Sequence, residues 1–177
     1  MDFRQVYDEH VAFVWRSLRR LGVAESALKD AVQDVFLVVH RRLPDFVESA
    51  KISTWLFRIA MGIARDHRQR AHVRREVFDD AACERWPDPG GDAGESAERR
   101  EDLALFDRAL AKVDLDQSAV FILFEIEDMT GDQIAETLAI PLGTVYSRLR
   151  LARQAFRRAV LQQAAEPWAS PHPVGAT

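Results

Sequence analysis

Five arginines, Arg148, Arg150, Arg153, Arg157 and Arg158, cluster near the C-terminal end of the sequence with no aspartate or glutamate among them. A guanidinium is a planar fork of donors that matches phosphate oxygens and the acceptor edge of guanine. A helix face that needed only solubility would mix signs, so that residues three or four apart could pair. The chemistry open to these side chains is therefore docking on duplex DNA rather than covalent catalysis.

Local sequence supplies a frame to position them. Thr130-Gly131-Asp132-Gln133 has the form of a capping box, a threonine cap with a glutamine three residues later reaching back. It opens a short helix carrying Ile134, Ala135 and Leu138, with the small Ala135 where a second helix must cross. Ala139 to Gly143 reads as a turn, and Thr144 is placed to cap the next helix. That helix is expected to bury Val145, Leu149, Ala152, Phe156 and Val160. The result is a helix-turn-helix over about 130–160, with Thr144, Tyr146, Ser147, Arg148, Arg150, Arg153 and Arg157 on the DNA side.

A second stretch mixes aromatic and basic residues. The helix beginning near Ser53 or Thr54, either of which could cap it, and running through Arg70 holds Trp55, Phe57, Arg58, Arg65 and Arg68. Aromatics beside cations suit unstacked bases, because every base offers a face for stacking. Partial burial of Trp55 and Phe57 in a core explains the same residues equally well, and both readings stand on sequence alone.

Earlier helices show ordinary apolar stripes. Phe3, Tyr7, His10, Val14, Leu18 and Leu21 mark a first helix ended by Gly22, and Leu28, Val32, Val35, Phe36 and Val39 a second ended before Pro44. Residues 72–101, with the run Asp88-Pro89-Gly90-Gly91-Asp92, have no helical period and read as a flexible acidic linker. Helices resume at about Asp102, with Leu103, Phe106, Leu110 and Val113 on one face, and another runs from about Asp116 to Glu127. The proline-rich residues 164–177 read as a disordered tail. The expected architecture is all-α: two small helical domains, 1–71 and 102–163, joined by that linker.

Charge is segregated along the 177 residues. The net charge is −4, but residues 1–72 carry +3 and residues 142–177 carry +4, flanking an acidic middle. No apolar run is long enough to span a membrane, and the single cysteine, Cys83, suits a reducing cytoplasm. His67, His72 and Cys83 lack metal-ligand spacing, and no phosphate loop or nucleophile–base motif is present, so no catalytic residue, metal or cofactor is expected.

These residues carry a resemblance to the extracytoplasmic-function (ECF) sigma factors, the minimal promoter-recognition subunits of bacterial RNA polymerase. Asp30-Ala31-Val32-Gln33-Asp34-Val35-Phe36 resembles that family's conserved-region-two helix. Ser53 to Ala60 (STWLFRIA) resembles its TWLYRIA signature, and Gly143 to Leu149 (GTVYSRL) its GTVKSRL signature. The resemblance implies that Asp30, Gln33, Asp34, Leu37 and Arg41 bind the clamp helices of the polymerase β′ subunit. It implies that the loop 46–51, with Ser49 and Lys51, captures a flipped base of the −10 element. Thr54, Trp55, Arg58 and Arg65 would then hold the melted strand, with Phe57 near it. The C-terminal domain would read the −35 element and meet the β flap, and an anti-sigma factor would hold the free protein inactive. Gly62 stands where the family usually has asparagine, and Tyr146 and Leu151 where basic residues are common. The competing reading is an operator-binding repressor or activator that works without polymerase.

Overall fold

The computed structural model describes residues 2–47, 51–75 and 97–165. Among these described residues seven α-helices follow one another: α1 (Phe3–Arg20), α2 (Leu28–Arg42), α3 (Ile52–Arg75), α4 (Ala97–Ala111), α5 (Leu115–Glu125), α6 (Gly131–Leu138) and α7 (Leu142–Ala165). Among the described residues there is no strand. Helix α3 continues to Arg75 and α4 begins at Ala97, so helix enters both ends of the stretch read as linker.

Helices α1, α2 and α3 pack as a three-helix unit. All five expected core residues of α2, Leu28, Val32, Val35, Phe36 and Val39, are buried. Helix α1 departs from its expected stripe: Tyr7 is 38% exposed, whereas Val6 and Trp15 are buried. It packs against α2, α3 and α4 at once, which widens its buried face beyond one stripe. Gly22 ends α1 at φ +82°, where the Gly22 N–H donates to the Arg19 carbonyl and the Val23 N–H to the Leu18 carbonyl. That is the double bond of a Schellman cap, which needs a left-handed residue.

Neither Ser53 nor Thr54 caps α3. The Lys51 carbonyl takes the first helical bonds, from the Thr54 and Trp55 N–H groups at 3.1 and 3.2 Å, which leaves Ser53 and Thr54 inside the first turn.

Helices α4 to α7 form the second unit. Asp114 caps α5 by accepting from the Asp116 and Gln117 N–H groups, and α5 is buried on most of its circumference. Phe106, Phe121 and Phe156 meet with ring centroids 5.1–6.5 Å apart. Helix α7 buries Val145, Leu149 and Ala152 as expected, then Ala159 rather than Val160. The 3.6-residue period makes two successive steps of four overshoot the buried face.

The two units touch. Helix α1 packs on α4, and α3 on α5 and α6, so the apolar core is continuous across both. The Arg68 guanidinium donates to the Leu21 carbonyl at 3.1 Å and the Val113 carbonyl at 3.2 Å, joining the ends of α1 and α4. Burial pushes this guanidinium below the ordinary arginine range, with Asp114 opposing the shift.

Candidate nucleic-acid interface

The capping box at Thr130 is fully formed: the Gln133 N–H donates to the Thr130 hydroxyl, and the Thr130 N–H to the Gln133 side chain at 2.9 Å. Helix α6 ends at Ala139, which takes φ +53°. Its N–H bonds Glu136 and the Ile140 N–H bonds the Ala135 carbonyl, again a Schellman ending, here with alanine in the left-handed position at a cost of about 1–2 kcal/mol. Helix α7 starts at Leu142, directly after Pro141, whose carbonyl accepts from the Thr144 and Val145 N–H groups. Thr144 therefore lies in the first turn and is not the cap. The turn of the helix-turn-helix shortens to 139–141.

Tyr146 is exposed and leans on the start of α6: a Cβ added to Gly131 would lie 2.8 Å from the Tyr146 hydroxyl. Glycine at 131 thus sets where this ring stands. Ser147 donates back to the Thr144 carbonyl at 3.0 Å. Arg150 and Arg157 are exposed and have no acidic partner among the described residues. Arg148 and Arg153 do have partners, which sequence reasoning missed. Arg148 bonds Asp116 at 3.1 Å, and Arg153 bonds Glu125 at 2.6 Å while lying over the Phe124 ring. Both acids come from α5, so the acid-free helix borrows its counter-charges from a neighbour.

On α3, Phe57 is fully buried, which corrects its expected place beside an unpaired strand. Trp55 is half-buried and packs against Phe46, ring centroids 5.0 Å apart and ring planes tilted by 48°. Arg58 and Arg65 are exposed, as is Lys51, and Thr54 is half-buried. A Cβ at Gly62 would meet nothing within 4 Å, so this position is open surface. Ser49 lies outside the described residues. Arg65 bonds Asp116 at 2.7 Å.

Asp30, Gln33, Leu37 and Arg41 are exposed along one side of α2, with Leu37 at 48%. Asp34 on that side is bonded by His67 Nε2 of α3 at 2.9 Å, which ties the α2 surface to the arginine-bearing helix.

Glu127, in the α5–α6 connection, has its carboxyl raised above the usual range by burial, opposed by Arg20 and Arg16. The folded state then holds a proton that the unfolded chain releases, so stability falls as pH rises from the ordinary carboxylate range through the raised value. Glu127→Gln is expected to raise the melting temperature at pH 7 by a few degrees, with the gain fading near pH 4. Melts across that range check it, and a constant gain would detach it from ionisation.

A helix-turn-helix with an arginine-lined second helix is thus attached to a second helical unit that carries its own cationic helix. The family description "Sigma-70 region 2" matches residues 6–74, and "Sigma-70, region 4" matches residues 103–156. The RNA polymerase sigma factor NccH of Alcaligenes xylosoxydans xylosoxydans is 32% identical over 85% of this chain and 82% of its own. The ECF RNA polymerase sigma factor SigL of Mycobacterium tuberculosis is 30% identical over 87% and 86%. The fold is similar to CnrH, solved with the cytosolic domain of CnrY (TM-score 0.61, 24% identity, 92% of this chain and 88% of that one). It is also similar to Bartonella quintana RpoE, solved with the anti-sigma factor NepR (TM-score 0.66, 21% identity, 90% and 97%). The chain belongs to the ECF RNA polymerase sigma factors. It is a subunit that directs polymerase to promoter DNA for initiation, not an independent operator-binding repressor. Among the described residues no helix is long and apolar enough to cross a membrane.

Proposed function

We propose that residues 1–71 bind core polymerase and the −10 element, and that residues 102–163 read the −35 element and meet the β flap. The α2 side formed by Asp30, Gln33, Asp34, Leu37 and Arg41 engages the β′ clamp helices. Lys51, Thr54, Trp55, Arg58 and Arg65 hold the melted strand, with Ser49 in the base-capturing loop. Thr144, Tyr146, Ser147, Arg148, Arg150, Arg153 and Arg157 contact the −35 duplex. The protein works in the cytoplasm without covalent chemistry or cofactor, and binding energy supports melting and base capture. An inhibitor of the kind solved with CnrH and RpoE, released on a stress or envelope signal, completes the reading.

The observation that carries this reading is the exposed arginine face of α7 in a capped helix-turn-helix. Its test is transcription in vitro with core polymerase, paired with titration of a −35 duplex across salt concentrations. Arg150→Ala is expected to weaken duplex binding about five- to tenfold and to lower the slope of log affinity against log salt by about 1. An unchanged slope removes Arg150 from the phosphate contacts.

A further inference from the structure

On the side of α2 assigned to polymerase, Asp30, Asp34, Leu37 and Arg41 follow at steps of four, three and four, with Gln33 beside them. Among the described residues, Asp34 is the only one of these five whose side chain makes a hydrogen bond. Its Oδ2 lies 2.9 Å from His67 Nε2 of α3. A carboxylate can only accept, so Nε2 carries the hydrogen and donates it. The donor is held in packed surroundings, its side chain 10% exposed, while the Asp34 side chain is 40% exposed. The other oxygen, Oδ1, has no partner among the described residues.

Packing of α3 on α2 does not depend on this bond, because the helices share a buried apolar core that includes Val35, Val39, Leu56 and Ala60. The turn of α3 that carries His67 is also anchored by its neighbour, since Arg68 donates to the Leu21 and Val113 carbonyls. The imidazole is therefore a fixed mount under a surface carboxylate. We propose that His67 is a positioning residue for polymerase recognition. Its Nε2–H fixes one oxygen of Asp34 and presents the other, already oriented, to a cationic side chain of the β′ clamp helices. This rests on the assignment of that side of α2 given above. An unmounted aspartate would lose rotamer freedom on binding, and the loss would count against affinity. The bond itself is partly exposed and adds little to folding, so its worth lies in recognition.

The test titrates the full chain, fluorescently labelled, with core polymerase at fixed salt. His67→Phe keeps a ring in place and removes the donor; it is expected to weaken polymerase binding about fivefold, the scale of freezing one side chain. His67→Gln, whose side-chain N–H can reach the same oxygen, should restore affinity to within about twofold of the natural protein. Asp34→Asn should weaken binding about tenfold, and adding His67→Phe to it should cost nothing more. The urea midpoint and the affinity for a −35 duplex should stay unchanged in His67→Phe. His67→Leu repeats the measurement should the phenylalanine variant fail to fold. Normal polymerase binding by the donor-less variants, or losses that multiply in the double variant, would overturn the positioning role. Equal losses in the phenylalanine and glutamine variants with a fallen midpoint would make His67 a packing residue only. An Asp34→Asn protein that binds polymerase normally would instead remove Asp34 from the contact surface, and the role of His67 with it.

Discussion

Phe57→Ala is expected to lower stability by about 3–5 kcal/mol, the range for deleting a fully buried aromatic ring. Phe57 is completely inaccessible, in a cluster that includes Leu56, Ala60 and Trp15. A domain of this size has only about 5–15 kcal/mol in total, so the loss is a large share of it. The urea midpoint should fall with little change in slope. Trp55, two residues earlier, is half-buried and touches Phe46. Trp55→Ala should keep the midpoint within about 1 kcal/mol-equivalent of the natural protein, the usual worth of one aromatic pair. It should nevertheless lose promoter opening, read by permanganate reactivity of unpaired thymines. A Phe57→Ala protein of normal stability that fails to open promoters would return Phe57 to the strand-contacting set.

Gly22→Val is expected to be the most damaging single change at the junction of the two units. The residue holds φ +82°, where an L side chain costs about 1–2 kcal/mol and a β-branched one more. A Cβ there would also stand 3.1 Å from the Ala111 carbonyl and 3.2 Å from the Arg68 guanidinium. Backbone at the end of α4 cannot swing aside as a flexible side-chain tip can. The substitution therefore strains the α1 cap and presses on the residue that joins α1 to α4. A total cost of roughly 2–4 kcal/mol follows from these terms. Thermal melting should drop by several degrees and sedimentation should slow as the units part. Gly22→Asn, which tolerates the left-handed region, should lose less. A valine variant that melts within a degree of the natural protein would contradict this account.

Much of the fold was legible because helical burial is periodic. The stripe of α2 and the capping box of α6 rest on residues three or four apart, and both stand as read. What was hidden depends on contacts far apart in sequence. Asp116 reaches Arg148 across 32 residues and Arg65 across 51, and no local pattern marks such pairs. The contrast between Phe57 and Trp55 was equally hidden, since both are aromatics beside arginines and only packing against other helices separates them. The start of α7 was misjudged because Thr144 has the chemistry of a cap, while Pro141 allows the helix to begin three residues sooner.

The packing of Trp55 against Phe46 has a consequence for binding that concerns entropy rather than contact. A large side chain loses rotamer freedom when a ligand immobilises it, and that loss counts against affinity. Here Phe46 has already restricted the indole when the chain folds, so, on the role proposed for Trp55, a base packing on it would meet a ring that has little freedom left to give up. Removing Phe46 would leave every atom of that platform in place and still loosen its grip.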